Sequence, residues 1–259
     1  MFDLQNIMIG QFSLFTILLL IVAAIAAGYI DTLVGGGGLI TIPALLAAGV
    51  SPVAALGTNK LQACAGSGTA SLMLWSKKQV SFSLVKWSML TAFVGGLIGA
   101  FLVQSFDAQT LELIIPLVIG LIVAYFLFAP KPDGEVSEPK MSQNAYRNTA
   151  VPVIGLYDGM FGPATGSFFV LAGVSLRGLS IIKATVIAKT LNFATNVASL
   201  LIFVWFDQVA YLLGLLMMVG QFVGATLGAR ALMTINPNAL RGLVVGVCLV
   251  MLAVWLFKQ

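Results

Sequence analysis

Apolar residues run through this chain in long stretches, at 12–27, 84–103, 111–128, 185–206, 211–229 and 243–257. Most approach the ~18–20 residues that cross a hydrocarbon core as a helix. Polar and glycine-rich interruptions mark out five apolar segments on each side of mid-chain. They fall at 12–30, 39–49, 53–75, 82–105 and 111–128, then at 149–161, 166–175, 184–206, 209–231 and 240–257. The pattern predicts an all-α polytopic membrane protein of 8–10 spans, in which the short second segment of each half is a broken helix. The mid-chain stretch 129–148, with three prolines and mixed charges, reads as a linker. It separates a first membrane repeat, 1–128, from a second, 149–259.

The two sides repeat one another. "FVGGLIGA" from Phe93 recurs as "FVGATLGA" from Phe222, an offset of 129, and at that offset residues 111–128 overlay 240–257. Lys60 pairs with Lys189, and Asp31 with Asp158 at an offset of 127. Five segments per half is an odd number, so the second half enters the membrane from the opposite side. That is the inverted-topology repeat common among secondary transporters.

Charge supports the inversion. If all ten segments alternate, Lys77, Lys78, Lys86, Lys131, Lys140, Arg147, Arg177, Lys183, Arg230 and Arg241 share the cytoplasmic side, and only Lys258 faces out. Four crossings per half would instead give parallel repeats and a much weaker bias of seven against four. Both termini are then expected outside. The start of the chain carries Asp3 and no Lys or Arg, so its first apolar run is expected to be kept as a span rather than removed as a signal.

Two polar breaks interrupt the apolar pattern at matched places. "GGGG", Gly35, Gly36, Gly37 and Gly38, is one; "GPATG", with Gly162, Thr165 and Gly166, is its counterpart. Non-helical backbone at membrane depth survives only where protein buries it or a wet cavity borders it. The helices that follow would aim N-terminal amides at the breaks, an arrangement that favours anions. Gly95, Gly99, Gly224 and Gly228, spaced by four inside long runs, read instead as packing surfaces.

Beside the breaks lie "GTNKLQACAGSG" and "IAKTLNFATN". Each sets a lysine within an apolar segment, Lys60 and Lys189, with amides nearby: Asn59 and Gln62 in one, Asn192 and Asn196 in the other. A charge at that depth costs upward of ~2.5 kcal/mol unless paired or wetted. Either lysine alone could snorkel to an interface; recurrence at matched positions favours a shared cavity that holds a small anion. Asp31 and Asp158, just ahead of the breaks, fit two roles equally, capping or pairing with a lysine on one hand and coupling to protons or substrate on the other.

At these residues the chain resembles the sulfite exporter TauE/SafE family of bacterial membrane proteins. The likeness rests on "IDTLVGGGGLITIPALLAAG", "LGTNKLQACAGS", "YDGMFGPATGSF" and "AKTLNFATNVASL", and extends over essentially the whole chain. The resemblance implies a plasma-membrane permease for sulfite or a small organosulfur anion, with Asp31, the four glycines, Asn59, Lys60 and Gln62 as motif residues. Asp158, Gly162, Lys189, Asn192 and Asn196 are their second-half counterparts. The second half has lost the glycine run, so the two breaks are not expected to be equivalent.

Composition narrows the alternatives. With 59% hydrophobic and 8% charged residues, the chain is no soluble domain, and its net charge of +4 reads as topology rather than nucleic-acid binding. Histidine is absent, Cys64 and Cys248 are isolated, and no Walker sequence occurs, so neither a metal or other cofactor nor ATP is expected. The expected partners are a small sulfur-containing anion and the lipid bilayer. The expected function is a secondary transporter of that anion, working by alternating access and not an enzyme. The rivals are an anion channel and an intramembrane aspartyl protease built on Asp31 and Asp158, which lacks the usual G-x-G-D sequence.

Overall fold

The computed structural model describes residues 7–76, 81–128 and 136–232. The apolar segment 240–257, Cys248, Lys77, Lys78, Lys131, Arg241 and Lys258 lie outside the described residues. After a two-residue hairpin of β1 (Met8–Ile9) and β2 (Phe12–Ser13), the first half is helical: α1 (Leu14–Val34), α2 (Gly38–Ala47), α3 (Pro52–Ser76), α4 (Phe82–Val103) and α5 (Ala108–Phe128). The second half holds α6 (Gln143–Asn148), α7 (Ala150–Met160), α8 (Thr165–Arg177), α9 (Ile181–Trp205) and α10 (Tyr211–Ala231). Four of these, α1, α4, α9 and α10, are long and apolar enough to cross a membrane. The 25-residue α3 has the length, ~38 Å of rise, but is more polar.

Most boundaries follow from local chemistry. Ser13 caps α1 by accepting the Thr16 amide, and Ser142 and Ser180 do the same for α6 and α9. Gly35, at φ 88°, ends α1 in the left-handed conformation that glycine adopts without strain. α1 thus runs past Asp31, which lies in its last turn. In the second half the linker sequence is partly helical: α6 and α7, joined at Thr149, together occupy the place that α1 has alone.

Each break reverses the chain. The Gly37 backbone lies beside Asp31 and Ala27, while Leu45 and Val50 cluster with Ile17 and Leu20, so α2 folds back along α1. Likewise Phe169 and Ala172 of α8 pack on Tyr146 and Val151, and Arg177 donates to the Met141 carbonyl. The short segments are the returning arms of two helical hairpins, the first only ~15 Å long.

The hairpins embrace the opposite half. The most extensive helix contacts are α1 with α10 and α7 with α4. A Cβ on Gly224 would fall 2.0 Å from the Ile25 carbonyl oxygen, and one on Gly95 2.3 Å from that of Pro152. Gly228 meets Tyr29 and Gly99 meets Leu156 in the same way. These pairs are related by the repeat offsets, and the four glycines are the packing surfaces the sequence suggested.

Between the hairpins α3 and α9, the lysine-bearing helices, cross antiparallel. Gly57 abuts Phe203, Gly68 abuts Phe193, and the Trp75 indole donates to Thr190 Oγ1 at 3.0 Å. Rising numbers on one helix thus meet falling numbers on the other. Equivalent helices that run antiparallel relate the halves by an axis across the bundle, the inverted arrangement and not the parallel one. Leu74, Val85 and Val186 cluster at one end of the bundle, where Lys86, Lys140, Arg147, Arg177, Lys183 and Arg230 also lie. Asp107, Glu112 and Asp207 mark the other end.

Candidate functional site

The tips of the two hairpins meet. A Cβ on Gly35 would lie 2.3 Å from the Ser167 amide nitrogen and 2.5 Å from Gly166 Cα, so only glycine allows this approach. Gly38 faces Pro163 and the Asn59 amide, and the Ser167 hydroxyl donates to the Val34 carbonyl. In the second tip Gly162 (φ 89°) and Ala164 (φ 61°) are both left-handed. The alanine costs ~1–2 kcal/mol in that conformation, a strain the packed junction sustains. The Tyr157 hydroxyl braces the tip by donating to the Pro163 carbonyl at 2.7 Å.

An ion pair flanks the junction on each side, and both pairs are crossed between halves. Lys60 Nζ donates to Asp158 Oδ1 at 2.9 Å and to the Asp158 carbonyl. Lys189 Nζ donates to Asp31 Oδ2 at 3.0 Å and to the Asp31 carbonyl. The lysines are 1% and 0% exposed, Asp158 1% and Asp31 15%. A buried ion pair holds only where the geometry is good and further hydrogen bonds satisfy the charges. Here each ammonium gains a carboxylate and a carbonyl, and bridges one half's long helix to the other half's hairpin. Both ammonium groups touch a tip: they lie 2.8 Å and 3.0 Å from where Cβ atoms on Gly162 and Gly166 would be.

The pairs are not twins. Asp31 uses both oxygens, accepting the Gly37 amide on Oδ1 at 3.2 Å and Lys189 on Oδ2. Asp158 accepts both Lys60 and the Thr165 hydroxyl (2.7 Å) on Oδ1, while its buried Oδ2 has no hydrogen-bond partner.

The amides form two further groups. Asn59 Oδ1 accepts from Thr41 Oγ1 at 2.6 Å and Gln62 Nε2 at 3.1 Å, and Gln62 Oε1 is buried without a partner. Asn196 Nδ2 reaches Asn192 Oδ1 at 3.2 Å and Ser67 Oγ at 3.5 Å, where α3 and α9 cross. All the sequence-predicted residues thus gather at or beside the hairpin junction, except that Asn196 lies two turns from Lys189, beside Ser67.

The site also takes in Thr41 and Ser167, common hydroxyls that no motif marks, and Gln221. That glutamine, 2% exposed on α10, projects between Gly28 of α1 and Gly66 of α3, with Oε1 2.4 Å from where a Cβ on Gly66 would lie. Its signal was available: an amide in an apolar run where the repeat has Ala92.

A sequence profile described as "Sulfite exporter TauE/SafE" matches residues 20–254. The "Probable membrane transporter protein YfcA" of Escherichia coli (strain K12) is 44% identical over 236 residues, 91% of this chain and 88% of that protein. A "Probable membrane transporter protein" of Haemophilus influenzae is 40% identical over 233 residues, 90% of this chain and 91% of the relative. No solved structure matches. The chain belongs to the TauE/SafE family. It is a membrane transporter rather than an enzyme, and family and helices together support a place in the bacterial inner membrane.

Proposed function

We propose that this TauE/SafE protein is a secondary transporter that exports sulfite or a small organosulfur anion by alternating access at the meeting point of its hairpins. The crossed ion pairs carry this reading. Each buried lysine sits against a hairpin tip, and its carboxylate partner occupies the place an incoming anion would take. Substrate competes with Asp31 or Asp158 for an ammonium group and recruits hydroxyl, amide and backbone donors from Thr165, Asn59, Asn192, Gly37 and Gly166. Because each pair links the two halves, exchange of a carboxylate for a substrate anion loosens one link and lets a hairpin rock against the opposite half.

The directly packed tips support a carrier over a channel, since Gly35 and Gly166 leave no gap between them. The basic end of the bundle supports a cytoplasmic assignment for that face, and with it the reading that both termini lie outside. Sulfite flux into proteoliposomes tests the reading. Loss of flux in a Lys60→Ala, Lys189→Ala double variant that still purifies as a folded protein is expected; unchanged flux overturns the proposed site.

A further inference from the structure

The repeat supplies two aspartates, and the asymmetry of their surroundings separates them. We infer that Asp158 is the residue that gains and loses a proton during transport, whereas Asp31 stays ionised as a structural tie. The inference rests on the anion-transport reading and names the coupling step of that same site.

The geometry differs at single atoms. Asp31 has a donor on each oxygen, the Gly37 amide and the Lys189 ammonium, so a proton on either oxygen weakens an existing bond by making its acceptor a poorer one. Asp158 has both of its side-chain donors, Lys60 and Thr165, on Oδ1. Its Oδ2 is fully buried and unpartnered, and an ionised oxygen without a donor in an apolar interior is expensive. A proton added there removes the charge without breaking either existing contact to Oδ1. Asp158 is also 1% exposed against 15% for Asp31.

The groups that face Asp158 are few. From α3 they are Lys60 and, one turn on, Cys64, which lies within the field of both charges. Its own helix supplies Tyr157, whose hydroxyl is committed to Pro163. α8 supplies Thr165. α4 packs glycine and alanine against this part of α7, its one titratable described side chain, Lys86, being at the basic end. Lys189 of α9 belongs to the other pair.

Protonation of Asp158 at Oδ2 turns a neutral ion pair into a site of net charge +1, with Lys60 still anchored to the Asp158 carbonyl. One proton and one monovalent anion then load together, and the loaded and empty sites carry the same net charge. Anion affinity falls about tenfold per pH unit once Asp158 is ionised.

Infrared titration of the purified full-length protein tests this without any assumption about substrate. The expected spectrum has a desolvated protonated-carboxyl stretch that titrates, vanishes in Asp158→Asn and persists in Asp31→Asn; added sodium sulfite strengthens it at a given pH. Asp158→Glu is expected to restore a titrating band. In proteoliposomes whatever sulfite flux Asp158→Asn retains follows only the ionisation of sulfite itself, while residual flux in Asp31→Asn keeps the wild-type slope. A band lost in Asp31→Asn and kept in Asp158→Asn, or the absence of a titrating band, overturns the assignment. Wild-type protein that shows the band but moves no sulfite refutes the substrate instead.

Discussion

Lys60 of α3 and Asp158 of α7 face each other at 2.9 Å, each 1% exposed and each from a different half of the chain. Breaking such a pair leaves an uncompensated charge, so Lys60→Met is expected to lower stability by about 3–5 kcal/mol. Adding Asp158→Asn to it removes the stranded charge and should recover most of that loss, without restoring transport. Thermal unfolding of the single and double variants in detergent gives the coupling directly.

Two left-handed glycines give contrasting expectations. Gly35→Ala faces both φ 88° and the Ser167 backbone at 2.3 Å, and should leave little folded protein. Gly49→Ala has a similar φ of 85° with nothing within 4 Å, and should cost only ~1–2 kcal/mol. Yield of monodisperse protein and melting temperature distinguish them.

Tip separation is testable by cross-linking. Val34 and Ser167 are held together across the junction by a hydrogen bond. In a Val34→Cys, Ser167→Cys variant, oxidation should form a disulfide that stops flux, and reduction should restore it. Full flux in the cross-linked protein contradicts motion between the tips.

The orientation makes a labelling prediction. Cysteine at Lys183 should react with an impermeant thiol reagent only after the membrane is opened, and cysteine at Asp207 in intact spheroplasts. The reverse pattern turns the molecule over.

Much of this arrangement was legible in the sequence because repetition amplified weak signals. Gly35 and Gly162 marked the breaks, and Gly95 with Gly224 marked close helix packing. The inversion expected from the charge pattern agrees with the antiparallel crossing of α3 and α9. What could not be read was partnership: Lys60 and Asp158 are 98 positions apart, Lys189 and Asp31 158 apart, and only the crossed packing of hairpins joins them. Pairing within each half was equally compatible with the sequence. The unpartnered Oδ2 of Asp158 was likewise invisible, since it depends on which carboxylate oxygen the Thr165 hydroxyl selects. The helix at 143–148 was hidden by its polarity, because it lies at the basic end of the bundle, where an apolar face is needed only at Tyr146.

The central claim is that a small sulfur-containing anion exchanges at the crossed lysines by alternating access, and counterflow measures this most directly. Proteoliposomes loaded with unlabelled sulfite should transiently concentrate labelled sulfite above its external level, and the Lys60→Ala, Lys189→Ala variant should not. Labelled sulfite that only equilibrates in the wild type, or that is concentrated equally by the double variant, would contradict the account.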